Sequence, residues 1–277
     1  MLRLLKIEWN KIYYYKTARI FTILYFAMLV IIGLALANFE FKLNGIGFKF
    51  SKLGMFNFPV VWQNITWFSA LAKIFIAIIV ITNVTNEYSS RTLKQNLIDG
   101  LSKKEFLVSK VLSNTVLAIL STILVFLISL ILGCFFSEEK SNVFQGMGFV
   151  LMYFIKLFFF LSMCLFFSFL LRKNAFAFLG IVVFQIIEVI FWVSEILIRK
   201  LVFHQDFTSF DGFVSNYLPL NSCYNLISFA DFSPGRFLMG EAPFRYTEID
   251  FKYIPVAIVY SFVFLFLSYR LLKKRDL

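Results

Sequence analysis

Long apolar stretches alternate with short polar segments along the whole chain. A helix needs about 20 mostly apolar residues to cross the hydrocarbon core of a bilayer, and six of the apolar stretches reach or approach that length. The buried helices of soluble proteins rarely stay so apolar for so long. The pattern therefore predicts an all-α integral membrane protein with six transmembrane helices. The predicted spans are Ile20–Ala37, Val60–Val84, Val111–Phe136, Met147–Leu171, Ala175–Ile198 and Ile254–Leu272.

The composition supports the membrane interpretation. Of the 277 residues, 60% are hydrophobic and 39 are Phe, whereas a soluble globular domain is about 45–50% apolar. The first span follows a basic segment, and Ala35-Leu36-Ala37 fits a small-x-small cleavage site. Its apolar and basic parts are both long for a signal peptide. We therefore expect an uncleaved anchor and one transmembrane domain over residues 1–277.

The distribution of Lys and Arg predicts the orientation in the membrane. With a cytoplasmic N-terminus, the cytoplasmic parts hold 16 Lys and Arg in 56 residues, and the outer segments hold nine in 87. Cytoplasmic loops are the ones enriched in Lys and Arg, so both termini are predicted to be cytoplasmic and the protein to be multi-pass in the cytoplasmic (inner) membrane. The net charge of +11 then faces the lipids of the inner leaflet. Such a distribution argues against a nucleic-acid partner.

The polar segment 85–110 separates the second and third spans. Tyr88, Leu93, Leu97 and Leu101 recur at near-helical spacing and predict a short amphipathic helix. Gly100 can end this helix, because glycine readily takes the left-handed conformation that closes a helix end. By this pattern alone, the helix is either a surface element among lipid headgroups or a docking element on the cytoplasmic face.

A second helix is predicted directly after this glycine. Ser102 and Glu105 have the spacing of a capping box, in which the side chain of each residue accepts a hydrogen bond from the backbone N–H of the other. Leu101 and Phe106 occupy the two positions of a hydrophobic staple. The helix should begin near Lys103 and continue into the third span.

The N-terminal segment 1–19 predicts a helix that lies in the membrane interface. A basic amphipathic helix with aromatic side chains is stable at an anionic membrane surface. Its predicted roles are to anchor the chain and to pass motion to the first span. The apolar face is predicted to hold Leu2, Leu5, Trp9, Ile12 and Tyr13, with Arg3, Lys6 and Lys11 beside it.

Two segments resemble the membrane subunits of type-2 ABC exporters. The run NEYSSRTLKQNLIDGLSKKEFLVSK is similar to that family's segment between the second and third spans, and LRLLKIEWNKIYYYKTARIF is similar to its N-terminal interfacial helix, with Glu8 as the acidic mark. The family's usual Pro at the turn is absent, and Asp99-Gly100-Leu101-Ser102 stands there instead. The family's motif positions are occupied by Glu87, Arg91, Thr92, Leu97, Gly100, Lys103, Ser109 and Lys110.

The resemblance implies a permease that works with a separate ATP-binding subunit. In that family the helix after the second span is the coupling helix, which rests in a cleft of the ATPase. The expected coupling residues are Glu87, Arg91, Thr92, Leu97, Gly100 and Lys103. The sequence contains no G-x-x-x-x-G-K-[ST] phosphate loop, so ATP and Mg²⁺ are expected on the partner ATPase and no cofactor in this chain. The other expected partners are a second permease copy or paralogue and membrane lipids.

Four charged residues lie within the predicted spans, namely Lys73, Lys156, Glu188 and Glu195. Charges inside a membrane are costly and are therefore candidates for function. Counted at 1.5 Å per residue, Lys156 and Glu188 lie at similar depths in neighbouring spans, which predicts an ion pair, with Lys73 as the rival partner. A structural pair and a substrate or proton pathway both remain open.

The segment 199–253 is the largest outer feature and is too interrupted by prolines to span the membrane. By resemblance, its later part includes short re-entrant helices that cap the outer pathway, and the alternative is a folded cover without a transport role. Lipid, peptide, drug and polysaccharide substrates all fit the sequence.

Residues for enzymatic chemistry are sparse. His204 is the only histidine, no span contains Asp, and no His/Cys spacing suits a metal. Cys134, Cys164 and Cys223 are scattered and form no disulfide framework. The sequence therefore predicts no catalytic or metal site and no enzyme. Two other functions remain as alternatives: a proton-coupled secondary transporter that uses Glu188 and Lys156, and a non-transporting ABC membrane subunit that transmits force.

Overall fold

Helices dominate the computed structural model, which describes residues 2–43, 46–50, 53–90, 92–137, 142–201, 212–233, 235–236, 239 and 242–274. The helices are α1 Leu2–Tyr14, α2 Lys16–Asn38, α3 Val60–Leu71, α4 Lys73–Ser89, α5 Thr92–Ile98, α6 Lys103–Phe136, α7 Gly148–Leu171, α8 Asn174–Leu201, a 3₁₀ turn Val214–Tyr217, α9 Pro219–Asn225 and α10 Tyr253–Lys274. The strands are β1 Glu40–Leu43, β2 Ile46–Lys49, β3 Asp231–Phe232 and β4 Phe244–Arg245.

The long helices agree with an all-α membrane protein. In the described ranges, α2, α6, α7, α8 and α10 are each long and apolar enough to cross a bilayer, and α3 with α4 makes a sixth candidate if the bent pair is one span. The strands are short and form two antiparallel pairs outside the spans, β1 with β2 and β3 with β4. The prediction of an all-α integral membrane fold is confirmed.

The second predicted span is not one straight helix. Its halves α3 and α4 meet at Ala72 with a bend of 44°. The N–H of Ala72 donates to the carbonyl of Ser69 at 3.1 Å, and the N–H of Phe75 donates to the carbonyl of Ala72 at 3.0 Å. Each of these hydrogen bonds joins residues three apart, as in a 3₁₀-helix, whereas an α-helix joins residues four apart. The 3₁₀ pattern locally replaces the α-helical one at the bend. The sequence around Ala72 contains no Pro or Gly to predict the break.

Helix α7 lies at the centre of the bundle. Two thirds of its apolar stretch (67%) is buried within the protein, compared with 17% for α8 and 22% for α2 and α10. It packs against α10, α4, α6, α8 and α3. The exposed apolar side chains of α2 and α8 therefore form a large part of the lipid-facing surface, because in a membrane protein apolar exposure is directed at lipid tails.

The described part of the segment 199–253 folds back onto the ends of the long helices. Gln63 of α3 donates to the carbonyl of Ser228 at 3.0 Å and accepts the N–H of Thr247 at 3.1 Å. Its neighbour Asn64 accepts the N–H of Ala230 at 3.3 Å. Both side chains are fully buried, so these two amides fix the outer segment to the beginning of the second span.

Candidate functional site

A buried set of charges joins three helices on the side of the bundle that carries α5. It consists of Glu8 and Lys11 from α1, Glu87 from α4 and Lys110 from α6, and we refer to it as the junction cluster. Lys110 Nζ lies 2.7 Å from Glu8 Oε2 and also contacts Glu87 Oε1. Lys11 Nζ lies 3.1 Å from Glu8 Oε1 and 3.0 Å from Glu87 Oε1. Each ammonium group thus bridges both carboxylates, and the four charges balance.

Polar neighbours complete the junction cluster. The amide of Asn83 donates to Glu8 Oε2 at 3.2 Å and accepts from Lys110 Nζ at 3.3 Å. The Ser109 hydroxyl lies 3.4 Å from Glu8 Oε1. Glu8 and Lys110 are each only 1% exposed. Removing either would leave an uncompensated buried charge, which typically costs about 3–5 kcal/mol.

Helical spacing brings these side chains together. Glu8 and Lys11 are one turn apart on α1, and Asn83 and Glu87 are one turn apart near the end of α4. The opposite side of α1 carries Trp9 and Tyr13, which are 51% and 57% exposed. The helix therefore turns Glu8 and Lys11 inward and its aromatic side outward. The side chains of Leu2 and Ile12, which were predicted on the apolar face, lie outside the described residues.

Ion pairing determines the direction in which the pKa values of Glu8 and Lys11 are shifted in α1. Burial by itself would raise the pKa of Glu8, but Lys110 and Lys11 outweigh it and hold that pKa below its ordinary value. Burial would likewise lower the pKa of Lys11, but Glu8 and Glu87 outweigh it and raise that pKa. Both groups are therefore charged across the physiological range of pH.

The segment after α4 has the predicted helix–turn–helix form. Helix α5 ends at Ile98, and Gly100 follows with φ of +96°. The Ser102 side chain accepts the Glu105 N–H at 3.1 Å, and the Glu105 carboxylate accepts the Ser102 N–H at 2.9 Å. This is the predicted capping box, and α6 begins at Lys103 as expected.

The predicted coupling residues are not all on one surface. Glu87 is buried in the junction cluster and Leu97 packs partly against the core. The hydroxyl of Thr92 lies 3.0 Å from that of Ser90, and Lys103 Nζ donates to the carbonyl of Lys273 in α10 at 3.4 Å. Gly100 is exposed at the turn. Arg91 lies outside the described residues.

The exposed side of α5 includes Ile98, which lies outside the periodic pattern of the leucines. Ile98 is 76% exposed, whereas Leu93 of the same helix is 2% exposed. Lys94 and Gln95 are also exposed. The periodic leucines mark the side of α5 that faces the protein. Ile98 is the apolar residue on the side that is available to a partner, and no periodic pattern in the sequence marks that side.

The predicted ion pair between Lys156 and Glu188 is wrong. Glu188 instead accepts hydrogen bonds from the backbone N–H groups of Leu220 and Asn221 at 2.9–3.0 Å, at the beginning of α9. Lys156 Nζ donates to the carbonyl of Tyr224 at 3.2 Å, near the end of α9. The two residues thus bind opposite ends of one short helix, where each charge complements the helix dipole.

Glu195 acts on the outer segment in the same way. Seven residues after Glu188 on α8, it accepts the N–H groups of Val214 and Ser215 at 2.9 and 2.8 Å, where the 3₁₀ turn begins. It also pairs with Arg199 at 2.8 Å. The first N–H groups of a helix have no partner within that helix, and Pro219 and Leu218 supply no side-chain cap to α9. The two carboxylates of α8 supply these caps.

Lys73, the proposed rival partner of Glu188, also makes no ion pair among the described residues. It lies at the break after Ala72, with Nζ 5.0 Å from the centre of the Phe160 ring. In the same ranges, no group of three or more His, Cys, Asp or Glu residues could hold a metal ion.

Comparison with known proteins extends over nearly the whole chain. The family model described as "ABC-2 family transporter protein" matches residues 2–277. The resemblance predicted from the two motifs is thereby confirmed. No curated protein matches the chain. The matched range includes α1, the junction cluster, α5 and the outer segment.

The junction cluster gives a test of mutual stabilisation. We expect Glu8→Gln to reduce the free energy of unfolding in detergent by about 3 kcal/mol, because it leaves the buried Lys110 and the half-buried Lys11 with one carboxylate. Adding Lys110→Met should recover part of the loss, with a coupling well above about 0.5 kcal/mol.

The matched control is Glu40→Gln, which removes a carboxylate that is 44% exposed and 3.7 Å from Lys49. Exposed ion pairs contribute about 0–1 kcal/mol, so this change should have little effect. If the losses in the free energy of unfolding for Glu8→Gln and Lys110→Met were additive, the two residues would not stabilise each other.

Amide hydrogen exchange can test separately the cap that Glu188 supplies to α9 and the cap that Glu195 supplies to the 3₁₀ turn. Glu188→Leu should accelerate exchange at Leu220 and Asn221 by at least about tenfold, since hydrogen bonds to a charged group contribute about 1.5–3 kcal/mol each. Glu195→Leu should instead accelerate exchange at Val214 and Ser215.

Each variant serves as the control for the other, and mass spectrometry of peptides from the two segments measures both. Equal effects of either variant on both segments, or no effect, would show that the carboxylates do not act as local caps.

Proposed function

The chain belongs to the ABC-2 family of transporter proteins, and we propose that it is the membrane-spanning permease subunit of an ATP-driven exporter. A separate ATPase chain would bind ATP and Mg²⁺, because the sequence contains no phosphate-binding loop. A second permease copy or paralogue would complete the pathway through the membrane. The membrane component of an ABC transporter moves substrate and is not itself the ATPase.

The observation that carries this proposal is the connection between α5 and the junction cluster. Helix α5 follows α4 and precedes α6, and both of these helices contribute to the cluster that holds α1. A force applied to α5 would therefore reach α4 and α6 through the chain and α1 through ion pairs. This is the arrangement that a coupling helix needs if an ATPase is to move several spans together.

The proposed docking surface is the exposed side of α5, around Ile98. Leu93 is buried and Leu97 is partly buried, so they attach α5 to the bundle and leave the other side available. Lys94 and Ile98 on that side offer a positive charge and an apolar contact to a cleft of the ATPase. Glu87 contributes indirectly, by fixing the end of α4.

The contacts at the helix ends support the proposed orientation. Lys103 at the beginning of α6 donates to Lys273 near the end of α10, and α1 meets the same end of α6 through Lys110. The N-terminal helix, α5 and the end of α10 thus share one side of the bundle. Their excess of Lys and Arg favours the cytoplasmic side of the inner membrane.

The contacts of the membrane charges argue against the proton-coupled alternative. A proton pathway would use Glu188 and Lys156, but both side chains are engaged by the backbone of α9. The carboxylate of Glu188 accepts two helix N–H groups that have no partner within α9. Holding the outer helix is therefore the role that these contacts support.

The orientation predicts which single cysteines react in intact cells. In a variant that lacks Cys134, Cys164 and Cys223, Asn142→Cys should be labelled from outside by a membrane-impermeant maleimide. Ser90→Cys should be labelled only after the cells are opened. Labelling of Ser90→Cys in intact cells would reverse the proposed topology.

Docking on α5 predicts a selective effect of Ile98→Asp. The side chain is 76% exposed, so the substitution should leave the folding of the permease unchanged. It would place an unpaired carboxylate in the contact with the ATPase, which is costly, so co-purification of the ATPase should fall at least about tenfold (about 1.4 kcal/mol). Stimulated ATP hydrolysis should fall with it.

Phe144→Asp is the matched control, because Phe144 is 73% exposed on the opposite side of the bundle and should keep normal binding. Leu97→Asp is less informative, since a charge at this partly buried position would also weaken the permease itself. Full ATPase binding and turnover with Ile98→Asp would refute docking at this surface.

A further inference from the structure

We infer that a cavity between α8, α9 and the segment 247–253 is a binding site for a cationic amphiphile, meaning a molecule with an ammonium or guanidinium group on an apolar body. The cavity lies on the face of the bundle opposite α5 and has a volume of about 760 Å³. Ligand sites in proteins typically have volumes of about 300–1,000 Å³.

The lining of the cavity combines acceptors with apolar and aromatic walls. Carboxamide and hydroxyl groups come from Asn216, Asn221, Asn225, Ser228 and Thr247. The carboxylates come from Glu248 and Asp250, and the aromatic rings include Trp192, Phe149, Tyr224 and Tyr253. Polar groups set among apolar and aromatic side chains are what a specific site for an amphiphile requires.

The charge of the lining favours a cation. Its ionisable carboxylates are Glu248 and Asp250, and the lining includes no Lys, Arg or His. Among the described residues, no Lys or Arg forms an ion pair with Glu248. Asp250 pairs with Lys252 at 2.7 Å, but both side chains are about 40% exposed, and such a surface pair is weak. A ligand cation can therefore gain two acceptors with little competition.

The aromatic wall of the cavity also favours a cationic ligand. Trp192 lies on the side of α8 that also carries Glu188 and Glu195, and it is half-buried at the cavity. Trp is the best aromatic partner for a cation, and the attraction grows as the site excludes water. Val189, one helical turn before Trp192, extends the apolar part of the same wall.

The walls of the cavity are held in place by contacts already described. Glu188 caps α9 on one side, and Gln63 binds the backbone of Thr247 on the other. Both anchors are buried and belong to the helices α8 and α3. The cavity is therefore largely formed before a ligand arrives, which reduces the conformational cost of binding.

Binding can be measured with three probes of equal chain length: octylammonium, octanol and octanoate. With purified permease in detergent, octylammonium should change the Trp fluorescence saturably and raise the temperature of unfolding, as a ligand of the folded state does. The fluorescence change should be absent in Trp192→Phe. Octanoate should bind at least about tenfold more weakly.

The double variant Glu248→Gln with Asp250→Asn should weaken octylammonium binding at least about tenfold and leave octanol unchanged. Asp231→Asn is the matched control, because this exposed carboxylate pairs with Arg236 outside the cavity. It should bind octylammonium normally.

Three results would overturn the inference. Equal binding of octanoate and octylammonium would indicate unspecific apolar partition. Equal binding of octyl glucoside, insensitive to the carboxylates, would indicate a neutral ligand such as a carbohydrate. An unchanged fluorescence response in Trp192→Phe would place the probe elsewhere. The measurement needs no ATPase, so its failure would leave the proposed coupling at α5 untouched.

Discussion

A charged or hydrogen-bonding group that is buried in this bundle needs a partner within the protein, because burial removes the water that would otherwise solvate it. The junction cluster meets that need with two ammonium groups and two carboxylates that share their contacts. Each lysine bridges both carboxylates, so no member can be withdrawn without leaving a charge uncompensated. Buried ion pairs seldom add much net stability over apolar packing, and their value here lies in fixing the position of α1 against α4 and α6.

The same constraint shapes the other end of the molecule in a different way. Short helices such as α9 have a high proportion of N–H groups without partners, and near a membrane those groups cannot all rely on water. Glu188 and Glu195, two turns apart on α8, supply acceptors to α9 and to the 3₁₀ turn. Lys156 donates at the other end of α9. Three of the four charges within the predicted spans, Lys156, Glu188 and Glu195, are thus explained by the backbone that they stabilise.

The sequence predicted what depends on local spacing. The spans follow from the length of apolar runs, and the beginning of α6 follows from the capping box of Ser102 and Glu105. The break at Ala72 was not predictable, because no Pro or Gly marks it. The prediction that Lys156 pairs with Glu188 was wrong because it compared only the depths of the two residues along their helices. Helix α9 lies between the two side chains and binds both of them. Glu8, Glu87 and Lys110 were each selected by resemblance, but their meeting depends on distant parts of the chain.

The two ends of the bundle therefore differ in how strongly they resist movement. Separating α1 from α6 would expose uncompensated buried charges, at about 3–5 kcal/mol for a broken pair. Releasing the beginning of α9 from Glu188 would break charge-assisted hydrogen bonds of about 1.5–3 kcal/mol each, but Asn221 lines the cavity, where water can replace the carboxylate and recover part of that cost. Motion that begins at α5 would move α1, α4 and α6 together, because the ion pairs of the junction cluster hold these helices to one another. It would be absorbed first where the outer segment meets α8, which is also where the cavity opens.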